Sequence, residues 1–228
     1  MHYHFRRFLD LWFPSLCLVC GRPLLLSEQH ICMACCHQLP WLSLRSFRDN
    51  AASSRLAGRL PFGKAVAAFK YQKESSVQVL FEAFKYHGNS HLAFYLGAMA
   101  AHRLLPAGFF EDIDCLLPLP LHVAKFRKRG YNQAERIAAG MSSVTGIPVE
   151  NKALVRQRAN ATQTKKNRWQ RQVNVDEAFA LRNAARIEGK RVLVVDDVLT
   201  TGATMAACGQ SLLEASPASL HFFALGLA

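Results

Sequence analysis

The stretch VLVVDDVLTTGAT, residues 192–204, decides the fold of this chain. The apolar run Arg191–Val195 predicts a strand buried on both faces, and a turn containing Gly202 follows it at once. Met205–Ala215 then predicts a helix, and Ser219–Leu225 predicts another strand. A strand, turn, helix and strand in this order form the βαβ unit of a parallel sheet with helices on both faces. The sequence therefore predicts an α/β fold.

The polar residues of this stretch predict a phosphate site. Asp196 and Asp197 come at the carboxyl end of the strand, where two carboxylates can accept hydrogen bonds from ribose hydroxyls or hold Mg²⁺ through water. In the turn Thr200–Thr204, backbone N–H groups and threonine hydroxyls offer donors, and Gly202 allows close approach. The alternative is that the acids cap a turn and the threonines start a helix. Two adjacent acids followed by TTGAT argue against that alternative.

The same stretch resembles the motif of type I phosphoribosyltransferases that binds 5-phosphoribosyl-1-pyrophosphate (PRPP). The resemblance implies that Asp196 and Asp197 contact the ribose. It also implies that the 5′-phosphate loop is lined by Thr200, Thr201, Gly202, Ala203 and Thr204. Purine-salvage members carry an aspartate where this chain has Thr200, so the resemblance argues against purine salvage.

Patterns elsewhere predict the rest of the fold and a domain boundary. The predicted elements are a strand over Lys64–Tyr71, helices over Ser75–Tyr86 and Ser90–Leu105, a strand over Ile113–Leu121 and a helix over Asn132–Thr145. The polar segment Arg45–Arg59 predicts a linker or an exposed hairpin. We therefore expect a small module over residues 1–58 and the phosphoribosyltransferase-like domain over residues 59–228.

Positive charge is concentrated in one part of the chain. The formal net charge is +12, and residues 122–172 hold twelve Lys or Arg against two Glu. Such a segment can meet the phosphates of a nucleic acid or of a polyphosphate substrate. Because this segment lies next to the phosphate motif, its ligand can be a diphosphate as well as a nucleic acid.

Three segments resemble the ComF family, also called ComFC or GntX-like proteins: PLPLHVAKFRKRGYNQAE (Pro118–Glu135), FKYHGN (Phe84–Asn89) and ATQTKKNRWQRQVNVDEAF (Ala161–Phe179). In the first segment, Arg127, Lys128 and Arg129 stand at a strand exit, where ligands of open α/β sheets gather. We expect them to face pyrophosphate. The alternative is a solvated basic loop.

The third segment contains our candidates for catalysis. Asn160–Val175 predicts a mobile loop or an exposed helix. Thr162–Arg171 corresponds to the place where related transferases carry a mobile loop over the active site. Lys165, Lys166 and Arg168 are therefore expected to close on pyrophosphate and exclude water.

The cysteines predict a structural zinc site. Four of the seven form two CxxC pairs separated by eleven residues, which is the spacing of a tetrahedral site made by Cys17, Cys20, Cys32 and Cys35. Cys36 and His37 leave open which residue completes the set, and a redox CxxC is the competing interpretation. ComF-like proteins commonly begin with such a module, so the resemblance agrees with zinc.

Two classes of function follow from these features. The first is a PRPP-binding phosphoribosyltransferase that uses Mg²⁺, with an acceptor that the sequence does not identify. The second is a protein that keeps the fold to bind single-stranded DNA or to regulate without turnover. The ComF resemblance implies a role in natural competence and DNA uptake, with competence proteins as possible partners. Paired cysteines without a secretory signal and apolar runs too short for a membrane span favour the cytoplasm.

Overall fold

A parallel four-stranded sheet forms the centre of the chain in the computed structural model, which describes residues 14–43, 45–156 and 179–228. The strands are β1 (Ala65–Lys70), β2 (Cys115–Pro118), β3 (Leu154–Arg156), β4 (Phe179–Leu181), β5 (Arg191–Leu199) and β6 (Ser219–Leu227). The order across the main sheet is β1–β6–β5–β2, and all three pairings are parallel. β3 and β4 pair separately as an antiparallel ribbon. The predicted α/β class is confirmed.

Seven α-helices surround the sheets in the described residues: α1 (Met33–His37), α2 (Ala51–Leu56), α3 (Ser76–Tyr86), α4 (Ser90–Leu104), α5 (Val123–Arg129), α6 (Gln133–Thr145) and α7 (Ala203–Leu213). Side chains of Ser75, Asn89 and Asn132 accept hydrogen bonds at the starts of α3, α4 and α6, as polar N-cap residues do. Across the parts of the chain described, no helix has the length and apolar character needed to cross a bilayer.

The side chains of β5 point alternately to the two faces of the sheet, and each face packs against a different half of the core. Leu193 and Val195 pack with the apolar faces of α3, α4 and α6, whereas Val192 and Val194 pack with α2 and α7. Successive strand residues point to opposite faces of a sheet. Asp196 and Asp197 come next in β5, so the sheet offers one carboxylate to each side.

The structure differs from the prediction for Arg45–Arg59, which contains the helix α2 instead of a linker or hairpin. The Asn50 side chain accepts the N–H groups of Ala52 and Ser53, while the Ser53 hydroxyl accepts the N–H of Asn50. This reciprocal capping box starts the helix. Leu56 is then fully buried against the sheet. The polar composition of the segment reflects capping and not solvation.

The N-terminal cysteine segment packs into the larger of the two core halves. Ile31, Cys32 and Cys35 are buried and belong to the same apolar cluster as Phe81 and Phe84 of α3. The N-terminal segment therefore shares a core with the sheet domain. The boundary near residue 58 stays a prediction.

Candidate functional site

The two acidic residues lie where β5 projects beyond its neighbour. Pairing of β2 with β5 ends at Pro118 and Val195, and the Leu119 N–H donates to the Val195 carbonyl oxygen at 2.9 Å. Past that point β6 is the one described strand that flanks β5, as far as Leu199. The strand is thus longer than predicted and carries Asp196 and Asp197 inside it. Carboxyl ends of neighbouring strands that diverge in this way form the crevice in which α/β proteins bind ligands.

Asp197 forms an ion pair with Lys85, at the end of α3. The Lys85 Nζ lies 2.9 Å from Asp197 Oδ2, and the two side chains are 16% and 17% exposed. The same ammonium group lies 5.4 Å from the centre of the Phe81 ring. The ComF-like segment Phe84–Asn89 contains Lys85, but the sequence pattern gives this residue no role. The ion pair joins two residues that are far apart in sequence, so the local sequence pattern does not predict it.

Asp196 lies on the other side of the strand and its charge is opposed by its surroundings. Its Oδ1 accepts the N–H of Asp197 at 2.7 Å. Burial, together with the negative charge of Asp197, raises the pKa of Asp196 to about 8. The positive charges of Lys85 and Arg156 act in the opposite direction but do not balance these effects. A cationic or hydroxyl-bearing ligand would favour the ionised form.

The turn Thr200–Thr204 connects this strand to α7. Thr200 and Thr201 are exposed. Gly202 is the N-cap residue of α7 with φ 81°, and within the described part of the chain no side-chain hydrogen bond caps the helix at this residue. The first N–H groups of a helix have no partner within it, so this uncapped end offers donors to an anion. One of these N–H groups, that of Ala203, donates to the Thr201 Oγ1 at 3.4 Å.

Gly202 is also required by packing against α2. A Cβ atom at this position would lie 2.3 Å from the Arg55 carbonyl oxygen, and the positive φ is one that other residues rarely adopt. The glycine therefore fixes both the shape of the turn and its contact with α2. The sequence predicts only that Gly202 lets a ligand approach the backbone closely.

The basic run before Gly130 is a helix, α5, and its side chains point in different directions. Arg127 and Lys128 are exposed, whereas Arg129 is half-buried. The Arg129 Nη1 donates to Gln133 Oε1 at 2.9 Å, and its guanidinium lies 5.7 Å from the centre of the Tyr86 ring. Tyr86 follows Lys85 in sequence. Arg129 is therefore the member of the predicted basic trio that lies against the helix end carrying Lys85.

The residues after Gly130 tie this region together. The Tyr131 hydroxyl donates to the carbonyl oxygen of Phe84 in the last turn of α3. Asn132 starts α6, and its Nδ2 donates at 3.1 Å to the carbonyl oxygen of Leu119 at the exit of β2. Burial raises the pKa of Tyr131, and the charge of Asp197 contributes to that rise. The segment thus holds the exit of β2 and the end of α3 next to the acidic pair.

The candidates Lys165, Lys166 and Arg168 lie outside the described residues, as do all of Asn160–Val175 and all of Thr162–Arg171. The described chain on either side of them meets in the β3–β4 ribbon, where Arg156 is the partner of Phe179. Arg156 is also one of the positive charges that act on Asp196. The described residues that flank this segment, Arg156 and Phe179, therefore lie on the Asp196 side of the sheet.

The four predicted cysteines form one group. The sulfur atoms of Cys17, Cys20, Cys32 and Cys35 all lie within 4.8 Å of one another, and Cys20 and Cys32 are 3.7 Å apart. Four thiolates around zinc at about 2.3 Å would be about 3.8 Å apart, so the group fits such an ion. Backbone and side-chain hydrogen bonds from Arg22 lower the pKa of Cys20 to about 6, which favours the thiolate form. These four cysteines can hold a metal.

Cys36 and His37 do not belong to the group. The Cys36 sulfur lies 3.9 Å from the sulfur of Met99 in α4, and His37 is exposed. The metal-competent group identified among the described residues contains neither of them. The possible metal ligands, which the sequence left open, are therefore the four cysteines of the two CxxC pairs.

Comparisons with known proteins bear on the fold of this chain. Residues 122–225 match the family model of the phosphoribosyl transferase domain. DNA utilization protein YhgH of Salmonella typhimurium is 27% identical over 223 residues, which cover 93% of this chain and 96% of that protein. Competence protein F of Haemophilus influenzae is 33% identical over 93 residues, or 40% of this chain and 41% of that protein. With the parallel sheet, the family match confirms the predicted phosphoribosyltransferase fold.

One of the solved structures to which this chain is similar is the glutamine phosphoribosylpyrophosphate (PRPP) amidotransferase from Bacillus subtilis complexed with ADP and GMP. It aligns at 23% identity with a TM-score of 0.42, over 60% of this chain and 26% of that one. At this TM-score the likeness says nothing about function.

Proposed function

The chain belongs to the ComF family of phosphoribosyltransferase-fold proteins, and from this premise we propose that it binds PRPP with Mg²⁺ at the carboxyl end of β5. One observation carries the proposal. The acidic pair Asp196 and Asp197 lies on the uncovered end of β5, immediately before an uncapped helix start at Gly202. Carboxylates that can accept hydrogen bonds from the ribose hydroxyls are therefore only a few residues away, in sequence, from a helix end that can bind a phosphate.

Each part of the site has a task in this proposal. The 5′-phosphate lies on the N–H groups and hydroxyls of Thr200–Thr204, and the ribose hydroxyls donate to Asp196 and Asp197. Arg129 supplies positive charge toward the diphosphate, and we keep Arg127 and Lys128 as candidates for the same role. Mg²⁺ carried by the diphosphate supplies neutralisation of the charge that develops on the leaving pyrophosphate. The carboxylate oxygens at the open strand end fit such an ion through its water ligands.

We further propose that the cysteine group holds a structural Zn²⁺. Three of the four cysteines are buried, and their spacing matches a tetrahedral thiolate site with no place left for a substrate. The competing redox role is disfavoured because two matched pairs converge on one point.

The biological setting follows from the relatives. Proteins similar to this chain are named for DNA utilization and for competence. We propose that the chain acts in the cytoplasm in the uptake or use of DNA, together with competence proteins. The acceptor of a phosphoribosyl transfer stays open, as does turnover itself.

Calorimetric titration of the zinc-loaded chain with PRPP and Mg²⁺ tests the main proposal. The wild type is expected to bind saturably. Changing both Asp196→Asn and Asp197→Asn should weaken binding at least about 100-fold, because two charge-assisted hydrogen-bond acceptors are lost.

The exposed Asp49, changed to Asn, is the matched control and should bind as the wild type does. Loss of PRPP binding in this control would mean that the double variant reports net charge and not the site. Absence of PRPP binding by the folded wild type would exclude the proposed function.

A second candidate function, binding of single-stranded DNA, is favoured by α5. The Phe126 side chain is 47% exposed and lies among the exposed basic residues Lys125, Arg127 and Lys128. Exposed aromatic rings among cations are the common means of binding single strands, by stacking and phosphate contacts. This surface and the PRPP site would share α5.

Changing Arg127→Ala and Lys128→Ala together separates the two roles. If these residues bind DNA, oligonucleotide affinity falls and becomes less salt-dependent, while PRPP affinity stays unchanged. If they face pyrophosphate, PRPP affinity falls. Repeating the PRPP titration with DNA present measures the coupling between the two ligands, which must be reciprocal.

A further inference from the structure

Lys85 lies against the carboxylate of Asp197, one of the two acids of the proposed PRPP site. Its Nζ is 2.9 Å from Asp197 Oδ2, and both side chains are largely buried. An ammonium group is a compact point charge that satisfies a carboxylate oxygen much as a divalent cation does. While this contact persists, that Asp197 oxygen is not available to a ribose hydroxyl or to metal-bound water.

The packing of α3 determines where Lys85 lies, and the aliphatic part of its side chain does not. The end of α3 is anchored because the Phe84 carbonyl oxygen accepts the Tyr131 hydroxyl. The ring of Phe81 flanks the ammonium group at 5.4 Å. The anchoring aims the Nζ at Asp197, but the four-carbon stem keeps its rotatable bonds. Lys85 can therefore leave the carboxylate without any movement of α3.

We propose that Lys85 is an internal counter-ion that holds Asp197 in the ligand-free protein and transfers to the diphosphate when magnesium-bound PRPP enters. This inference rests on the proposed function and adds a specificity-determining residue to that site. A diphosphate brings oxygens that accept the released ammonium group, so its displacement is compensated.

Ligands without a diphosphate lack this compensation. A free divalent cation displaces Lys85 and offers it no acceptor. Ribose 5-phosphate places its phosphate on the Thr200–Thr204 turn and brings no second phosphate for the lysine. Lys85 thus favours the activated diphosphate over both, and its removal should change the three affinities in different directions.

The test compares the full zinc-loaded wild type with Lys85→Met and with Lys70→Met. Lys70 is exposed at the carboxyl end of β1 and forms no ion pair with a carboxylate of the described chain, so it controls for loss of one charge at the same sheet edge. Mn²⁺ alone is titrated by water-proton relaxation. Ribose 5-phosphate and magnesium-bound PRPP are titrated by calorimetry.

Lys85→Met is expected to bind Mn²⁺ about tenfold more tightly or better, because a positive charge in contact with the carboxylate is gone. It should bind ribose 5-phosphate at least as well as the wild type, and magnesium-bound PRPP about tenfold more weakly. Lys70→Met should leave all three affinities within about twofold of the wild type, since its charge touches no part of the site. Lys85→Arg keeps the charge and should continue to exclude Mn²⁺. If Lys85→Met does not fold, Lys85→Gln removes the same charge with a polar side chain and is expected to show the same three changes.

The outcomes separate this inference from the proposed function. If the wild type binds PRPP but Lys85→Met binds Mn²⁺ no more tightly than the wild type, the counter-ion role is wrong and the PRPP site stands. If Lys85→Met and Lys70→Met behave alike, the effect is one of general charge and the inference is overturned. If the wild type binds no PRPP, the proposed function is wrong, and this inference, which rests on it, is wrong as well.

Discussion

Asp196 is held in a place that disfavours its charged form. The chain buries the carboxyl group at the open end of β5 and sets a second acid directly beside it, and both effects raise its pKa to about 8. An asparagine would make the same hydrogen bond to the neighbouring N–H without this penalty. Retaining an acid where the fold opposes it is typical of a ligand site, because the ligand relieves the opposition when it binds.

Asp196→Asn is therefore expected to stabilise the ligand-free protein. The folded-state pKa lies above the usual value of about 4, so the favourable contribution of Asp196 is fully present below about pH 4. That contribution is lost as the pH rises toward about 8. The difference in free energy of unfolding between variant and wild type should grow over this range and then level off, reaching about 2 kcal/mol after allowance for the partial exposure of the site. Urea unfolding at several pH values in magnesium-free buffer measures it.

Asp49→Asn serves again as the control, because its side chain is exposed. A stability difference for Asp196→Asn that is flat or reversed with pH would contradict the environment assigned to this carboxyl group. A stabilised variant would also show that any loss of PRPP binding on changing Asp196 alone does not come from unfolding.

At the scale of elements, the turn between β5 and α7 is shaped by α2 as much as by any ligand. Gly202→Ala forces a Cβ to 2.3 Å from the Arg55 carbonyl oxygen while the residue keeps φ 81°. Because α2 must then move away, the variant should lose about 2–4 kcal/mol of unfolding free energy and most of its PRPP affinity. Chemical denaturation and calorimetry measure the two effects.

Gly146→Ala is the matched variant for this prediction. Gly146 ends α6 with φ 73°, but nothing lies within 4 Å of a Cβ built on it. It should therefore show only the backbone penalty, about 1 kcal/mol, and bind PRPP normally. Equal losses in the two variants would mean that the contact with α2 has no energetic weight.

The elements also show what the sequence can and cannot predict. β5, its turn and α7 were predictable because their pattern is local: a buried run, two acids and a glycine. α2 was mistaken for a linker because its capping residues make a short helix look polar. Lys85 was missed because its partner is more than one hundred residues away in sequence, and only the packing of α3 against the sheet brings them together. The cysteine set was predictable from spacing, whereas the exclusion of Cys36 required its contact with Met99.

For the molecule as a whole, the N-terminal cysteine segment and the sheet domain are coupled through one core. Ile31, Cys32 and Cys35 pack in the same cluster as Phe81 and Phe84, and these two phenylalanines belong to the helix that carries Lys85. A metal that fixes the cysteine segment therefore also supports the helix at the ligand site. Binding of a metal to the folded state alone adds its binding free energy to folding.

Removal of the metal should accordingly destabilise the whole chain. Cys35→Ser is expected to abolish stoichiometric zinc and to lower the melting temperature of a single cooperative transition by about 10 °C or more, because loss of a structural metal removes several kcal/mol. It should also weaken PRPP binding through the loosened α3. Atomic emission, calorimetry and circular dichroism measure zinc content, ligand affinity and unfolding.

The neighbouring variant Cys36→Ser tests whether these effects come from loss of the metal or from loss of a thiol in this segment. Cys36 is half-buried against Met99 and lies outside the metal group, so this variant should keep its zinc, its single transition and its PRPP affinity, with only a small loss of stability from the changed packing. Two separate unfolding transitions after zinc loss, with the sheet domain melting as in the wild type, would instead show that the segment folds as an independent module. In that case the shared cluster of Ile31 with Phe81 would be a surface contact, and support of Lys85 by the metal would be wrong.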